Sequence, residues 1–359
     1  MLKTTVWFSF ALLWLASGRL TCLDEDGHTV DWWAIIKLPR ISSANTTGSN
    51  SVKDGTSYVY MTSTTSMLKL SPHSLADKSG GAFVNTVQQV YSNPSVGVGF
   101  YNDEHPDNTT SSTYGHTKGV VGFDGDGGFW LIHSIPRFPP ALADGYSFRI
   151  DEVIYGQSML CLSLDTDQLE VAAYQMQYHR PWFYESRMPP SLVSRMPNMT
   201  ATFGNAFVKD AGSSVTKLKT INGATFVHFG KNTNWNKYLD EDLIEPYLNT
   251  DMFWETWMRP WFGSFCTPQY RFNSLNVKDL SVAGQTWHET NDHSKWGIAV
   301  HADWVCIGDI NRMDSQRTRG GGAACIQHSG LHRLFASMIM GTETCTPASV
   351  PRSFSLSLL

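Results

Sequence analysis

At 359 residues the chain has room for one large domain or two of ordinary size, and its 42% hydrophobic, 16% charged composition is that of a folded protein, not a disordered one. The formal net charge of −5 excludes the strongly basic profile of a protein that coats nucleic acid. No internal run approaches the ~20 apolar residues that a bilayer-crossing helix requires.

The N-terminus has the form of a secretory leader. Lys3 precedes the apolar run VWFSFALLWLA, and small residues follow at Ala16, Ser17 and Gly18. This predicts a signal peptide over 1–18, cut near Gly18. VDWWAIIKLP, from Val30, reads as a buried strand stopped by Pro39. Residues 41–56 form a polar loop, and SYVYMTS, from Ser57, is a second strand. In SLADKSGGAFVNTVQQVY, Phe83, Val84, Val87, Val90 and Tyr91 recur at helical spacing. A hairpin follows, with strands Lys118–Phe123 and Phe129–Ser134 around the Asp-Gly turn 124–128. SMLCLSLD, from Ser158, is another strand, and 179–200 reads as irregular. The second half holds a strand at Ala224, a helix over Asn236–Asn249, strands near Lys295–His301 and Trp304–Asp309, and a closing helix over His332–Met340. Gly297, after Trp296, is expected to loosen its strand. The pattern is mixed α/β. A boundary near 166–190 divides it into an N-terminal half, 19–170, and a C-terminal half, 171–359.

Six cysteines, Cys22, Cys161, Cys266, Cys306, Cys325 and Cys345, suit an oxidising compartment. An even count predicts three disulfides, and spacing does not choose among the pairings. No CxxC is present to suggest zinc. Sequons at Asn45, Asn108 and Asn198 are candidate glycosylation sites on surface loops. Protonating all 12 His would turn a mature charge of about −6 to about +6, which favours a polyanion in an acidic compartment.

One motif occurs twice: His116-Thr117-Lys118 and His293-Ser294-Lys295. Residues i and i+2 of an extended strand share a face, so each His projects with its Lys. Two such strands brought together would place two imidazoles and two ammonium groups around one space. The lysines suit phosphate oxygens. One neutral His can attack phosphorus, and the other, protonated, can supply a leaving oxygen with its proton. This chemistry requires neither metal nor another cofactor. The alternative is that both triplets are ordinary strand residues.

The context of the triplets is specific. GHTKGV followed by FDGDGGFWLIHSIPRFPP, DHSKW followed by WVCIGDINR and RGGGAAC, and CLDEDGHTVDWWAIIKLP near the start closely resemble the deoxyribonuclease II family. The resemblance spans nearly the whole mature chain and is weakest over 180–260. It implies a phospholipase D-like pseudo-dimer in which each half is a β-sheet flanked by helices and gives one His-x-Lys to an interface site. It implies a metal-independent acid endonuclease, lysosomal or secreted, that leaves 3′-phosphate ends on DNA and acts without stable membrane association, as a monomer. His116, Lys118, His293 and Lys295 stand at the matching catalytic positions, with His116 the expected nucleophile and His293 the general acid. His133 matches a histidine near the site. The broader superfamily motif carries an Asp farther along, and neither Asp124 nor Asp309 holds that spacing. The family pairing is Cys22–Cys161, Cys266–Cys345 and Cys306–Cys325. The last would close a loop that offers Asn311 and Arg312 to a DNA phosphate, with Arg317 reading as solvated. The competing expectation is a secreted, non-catalytic paralogue that binds DNA or a host protein.

Overall fold

The computed structural model describes residues 19–42, 52–65, 67 and 69–345. The leader 1–18 and the Asn45 sequon lie outside the described residues. A short ribbon, β1 (Cys22–Leu23) with β2 (Thr29–Val30), precedes a first sheet. Its strands are β3 (Trp32–Lys37), β4 (Ser57–Thr62), β5 (Lys69–Ser74), β6 (Gly97–Asn102), β7 (Lys118–Phe123), β8 (Gly128–His133), β9 (Gln157–Leu164) and β10 (Phe183–Arg187). Helix α1 (Ala82–Tyr91) follows β5, and α2 (Thr166–His179) and α3 (Pro197–Phe203) flank β10. The second sheet holds β11 (Ser213–Lys219), β12 (Thr225–Lys231), β13 (Met252–Thr256), β14 (Ser274–Val282), β15 (Gln285–His288), β16 (Lys295–Ala299), β17 (Trp304–Gly308) and β18 (Gly321–Gln327). A π-helical turn, Asp240–Ile244, runs into α4 (Glu245–Leu248), and α5 (Ser329–Met338) leads into β19 (Ile339–Thr342) beside β14. The fold is mixed α+β, mostly sheet with a few flanking helices.

The two sheets share a pattern. In the first, five neighbouring strands run β6-β7-β8-β9-β3; in the second they run β13-β16-β17-β18-β12. All neighbours within both blocks are antiparallel. Both blocks are threaded by the chain in the same sequence, and a helix follows the fifth strand in each, α2 after β9 and α5 after β18.

β3 is buried throughout, and apolar up to its last residue, Lys37, because both of its faces are covered. Trp32, Ala34 and Ile36 join a core that also holds Phe226, Trp296 and Ile307 of the second sheet and Leu169 and Met176 of α2. Trp33 and Ile35, on the opposite face, pack with Phe83, Val84 and Val87 of α1. The second sheet's other face packs Phe229 and Trp254 against Leu239 and Ile244. The disulfides join Cys22–Cys161, Cys266–Cys345 and Cys306–Cys325. The third links directly paired residues of β17 and β18.

Several local expectations change. The boundary segment opens with the 14-residue helix α2, and Asp165 caps it by accepting from the Gln168 N–H at 2.8 Å. The segment 179–200, expected to be irregular, carries strand β10 and the start of α3. Only the end of Asn236–Asn249 is α-helical, since Asp240–Ile244 is a π turn. The Gly-rich stretch from Gly321 is strand β18, not loop. Gly297 does not loosen its strand: a Cβ there would lie 2.4 Å from the Trp254 ring, so the glycine makes room for the indole. Of the described sequons, Asn108 is exposed in a loop, whereas Asn198 is half-buried within α3.

Candidate active site

Each His-x-Lys triplet runs into the start of a strand at the same place in its sheet: Lys118 opens β7 and Lys295 opens β16. His116, Lys118, His293 and Lys295 all line one cleft of about 350 Å³, with Ser134, Arg137, Tyr155, Trp257 and Asn311 among its walls. The two triplets, far apart in sequence, therefore meet in one space.

The histidines are held differently. His116 Nδ1 lies 2.8 Å from an Asp103 carboxylate oxygen, so Nδ1–H is the donor and Nε2 keeps its lone pair. Asn311 Nδ2 stands 3.5 Å from that Nε2. Lys118 and Arg319 also pair with Asp103, the latter at 2.9 Å. Burial alone would raise the Asp103 carboxyl, but His116 and Lys118 beside it carry it well below the usual carboxylate range. Among the described residues His293 has no carboxylate partner. Its ring stacks on Tyr155 at 3.8 Å between centroids and meets Trp257 at 4.8 Å. Its Nε2 is buried with no hydrogen-bond partner. The Lys295 ammonium donates to the His293 carbonyl at 2.7 Å.

Two loops cross to support the opposite triplet. The His116 N–H donates to the Gly320 carbonyl, just before β18, at 2.8 Å. The His293 N–H donates to the Gly156 carbonyl, just before β9, also at 2.8 Å. A side chain at Gly156 would strike Asp292, and one at Gly320 would strike the His179 carbonyl.

Burial and the neighbouring lysines favour neutral imidazoles. Burial, with Lys118 and Lys295 adding, pushes His116 down to about 4 against the opposing pull of Asp103. Burial and the two lysines push His293 down to about 2. Burial and Lys118 lower Lys295 to about 7. Asp309 lies close to both lysines, accepts the Gly322 N–H at 2.8 Å, and is raised by burial to about 7.

The other expected site residues divide. His133 is fully buried and flanks Lys118 across the β7–β8 pair. Its Nδ1 accepts the Ile135 N–H at 3.2 Å, and burial with the two lysines lowers it to about 3. It does not line the cleft. Arg312 is a correction: it is 2% exposed, is bound by Asp240, Glu241 and Asn276, and presents no guanidinium to a DNA phosphate. Arg317 is partly exposed and donates to the Asn236 carbonyl at 3.2 Å. Asp124 sits in the β7–β8 turn, bound to the Leu20 and Asp126 N–H groups. Sequence reasoning missed Asp103, Tyr155 and Trp257. No spacing ties them to the triplets, although Gly320 stood in a visible glycine run.

A cleft shared by two sheets, holding two neutral imidazoles beside two buried lysines, defines an enzyme of the acid–base, anion-handling class. Its chemistry suits hydrolysis of a phosphate ester. The chain belongs to the deoxyribonuclease II family, whose sequence profile, Deoxyribonuclease II, matches residues 21–345. It is 33% identical to Plancitoxin-1 of Acanthaster planci over 339 residues, covering 92% of this chain and 94% of that one. It is 32% identical to Cell death-related nuclease 6 of Caenorhabditis elegans, covering 96% and 94%. It is 32% identical to Deoxyribonuclease-2-alpha of Rattus norvegicus, covering 93% and 97%.

Proposed function

We propose that this chain is an endonuclease that hydrolyses DNA phosphodiesters without metal, through a phosphohistidine. His116 Nε2 attacks phosphorus and forms the N–P bond as the P–O5′ bond breaks. His293, protonated, gives its proton to the leaving O5′. Water, deprotonated by His293, then attacks phosphorus and breaks the N–P bond, leaving a 3′-phosphate and a 5′-hydroxyl. Lys118 and Lys295 hold the non-bridging oxygens.

The observation that carries this assignment is the unequal support of the two histidines. The Asp103 carboxylate accepts the hydrogen bond of His116 Nδ1–H and so leaves the lone pair on Nε2. His293 has no such anchor and its Nε2 is unpaired. Burial, with both lysines adding, lowers His293. A phosphodiester between them brings negative charge and reverses part of that effect, so proton uptake accompanies substrate binding and acid favours turnover.

The reading includes a pseudo-dimer of halves 19–170 and 171–359 after a leader 1–18. The repeated five-strand block supports it, with β10 crossing back to the first sheet's edge. Three disulfides fit export to a secreted or lysosomal compartment. Among the described residues no helix is long and apolar enough to cross a membrane.

The test is plasmid cleavage at about pH 5 in chelator, beside His293→Ala and His116→Ala. Metal-free nicking lost in both variants supports the mechanism. DNA binding without cleavage by folded wild-type protein would replace it with the non-catalytic paralogue.

A further inference from the structure

Two further lysines occupy matching places, outside the cleft. Lys37 ends β3 and Lys231 ends β12, the corresponding strands of the repeated blocks. Both are buried, at 0% and 1% exposure, and neither lines the cleft. An ammonium group out of water must have its donors satisfied. Lys37 Nζ donates to the carbonyls of Leu38, Val153 and Tyr155, at 3.1, 3.2 and 2.6 Å. Lys231 Nζ donates to the carbonyls of Gln316, Arg317 and Arg319, at 2.9, 2.9 and 2.6 Å.

Apart from that of Leu38, which directly follows Lys37, the accepting carbonyls belong to the two crossing loops. Val153 ends the 3-10 turn Ile150–Val153, whose next residues are Tyr155, stacked on His293, and Gly156, bound to the His293 N–H. Gln316 ends the 3-10 turn Asp314–Gln316, which leads to Arg319, bound to Asp103, and Gly320, bound to the His116 N–H. Each ammonium thus gathers the carbonyls at the end of one short turn, where unpaired acceptors concentrate.

We propose that Lys37 and Lys231 are a pair of positioning residues acting crosswise, Lys37 on His293 through Tyr155–Gly156, and Lys231 on His116 through Arg319–Gly320. The lysines touch no substrate. They fix loop backbone, and the loops fix the imidazoles. Their loss is felt at the far histidine as a displaced ring, and displacement of about 1 Å lowers turnover by roughly 10²-fold. Burial pushes both ammonium groups down to about 7, so each carries its third N–H donor under acidic conditions. The consequence for turnover rests on the reading of His116 and His293 as the reacting pair; the structural linkage does not.

The experiment uses the full secreted chain with ¹⁵N-labelled histidine, His116 and His293 being assigned by single His→Gln variants. Imidazole resonances and cleavage kinetics are recorded for Lys37→Met and Lys231→Met. The expected result is crosswise. Lys37→Met moves the His293 signals and leaves those of His116, Lys231→Met does the reverse, and each lowers kcat about 10²-fold with KM within about twofold. Lys37→Gln and Lys231→Gln retain an amide donor and keep the test open where a Met variant does not fold. Folded variants whose imidazole signals stay unchanged, move together or move on the same side overturn the proposal, as does unaltered kcat in an active enzyme. Failure of both substituents to fold assigns these lysines to the fold alone and also overturns it. A wild-type protein without nuclease activity whose signals still shift crosswise refutes the reaction but leaves the linkage standing.

Discussion

Asp103→Asn is the sharpest perturbation of the site. The carboxylate is 6% exposed and serves His116, Lys118 and Arg319 together. An amide keeps the shape but presents either an oxygen or an NH₂ to each neighbour. Lys118 sits on Oδ1, whereas Arg319 and His116 share Oδ2, so an amide oxygen kept on Lys118 sets the NH₂ against Arg319 and against His116 Nδ1. That atom must then accept, its proton moves to Nε2, and the lone pair leaves the cleft. Loss of an orienting carboxylate of this kind lowers kcat by about 10⁴, equivalent to about 5.4 kcal/mol at 1.36 kcal/mol per decade. Breaking the buried ion pairs costs a further ~3–5 kcal/mol of stability. Single-turnover nicking of supercoiled plasmid at acid pH measures the first effect, and urea unfolding measures the second. The carboxyl is depressed in the fold, so its stabilisation is present above the unfolded value of ~3.9. That stabilisation is lost only as pH falls through the still lower folded value, and the network survives at acid working pH. A variant that retains kcat within tenfold would refute the tautomer argument and, with it, the assignment of His116 as nucleophile.

Two other predictions concern stability. Burial lowers His179 to about 3, and burial with His179 beside it holds His228 well below the usual imidazole range, so their stabilisation is full above ~6.5 and is lost as pH falls. Burial raises Glu245 to about 7, so its contribution is present at acid pH and is lost as pH rises toward that value. Urea midpoints at several pH values should therefore show His228→Gln flattening the acid limb and Glu245→Gln flattening the neutral limb; parallel curves for both variants and wild type would contradict this. Gly297→Ala should destabilise by about 1–3 kcal/mol, because its Cβ meets the buried Trp254 ring at 2.4 Å. An unchanged melting temperature would mean that the indole moves freely.

The strands that carry the site were legible because their apolar runs and turns are local signals. Lys118–Phe123 and its Asp-Gly turn need no tertiary information. Helix α2 was hidden because its buried face joins Leu169 and Met176 to Ala172, Ala173, Gln175 and His179, which are too small or too polar to complete a clear apolar stripe. The strand at Gly321 was hidden by glycines that usually mark loops, yet here a Cβ at Gly322 would meet His179 Nε2 at 2.4 Å. The four His-x-Lys residues announced themselves by repetition. Asp103 did not, since it reaches His116 only through the pairing of β6 with β7. Arg312 misled because a charged residue in a loop closed by the Cys306–Cys325 disulfide reads as solvent-facing, whereas three buried acceptors, Asp240, Glu241 and Asn276, enclose it.

The crossing loops bear on how such a chain can change over generations. The N–H of each His-x-Lys histidine is received by a carbonyl that leads into a strand of the other sheet, at Gly320 for His116 and at Gly156 for His293. A substitution that shifts one loop is therefore expressed as a defect in the other half, and compensation must arise far away in sequence. Neither half can shed its partner or drift alone, so a gene that arose by joining two copies would become indivisible once these bonds had formed.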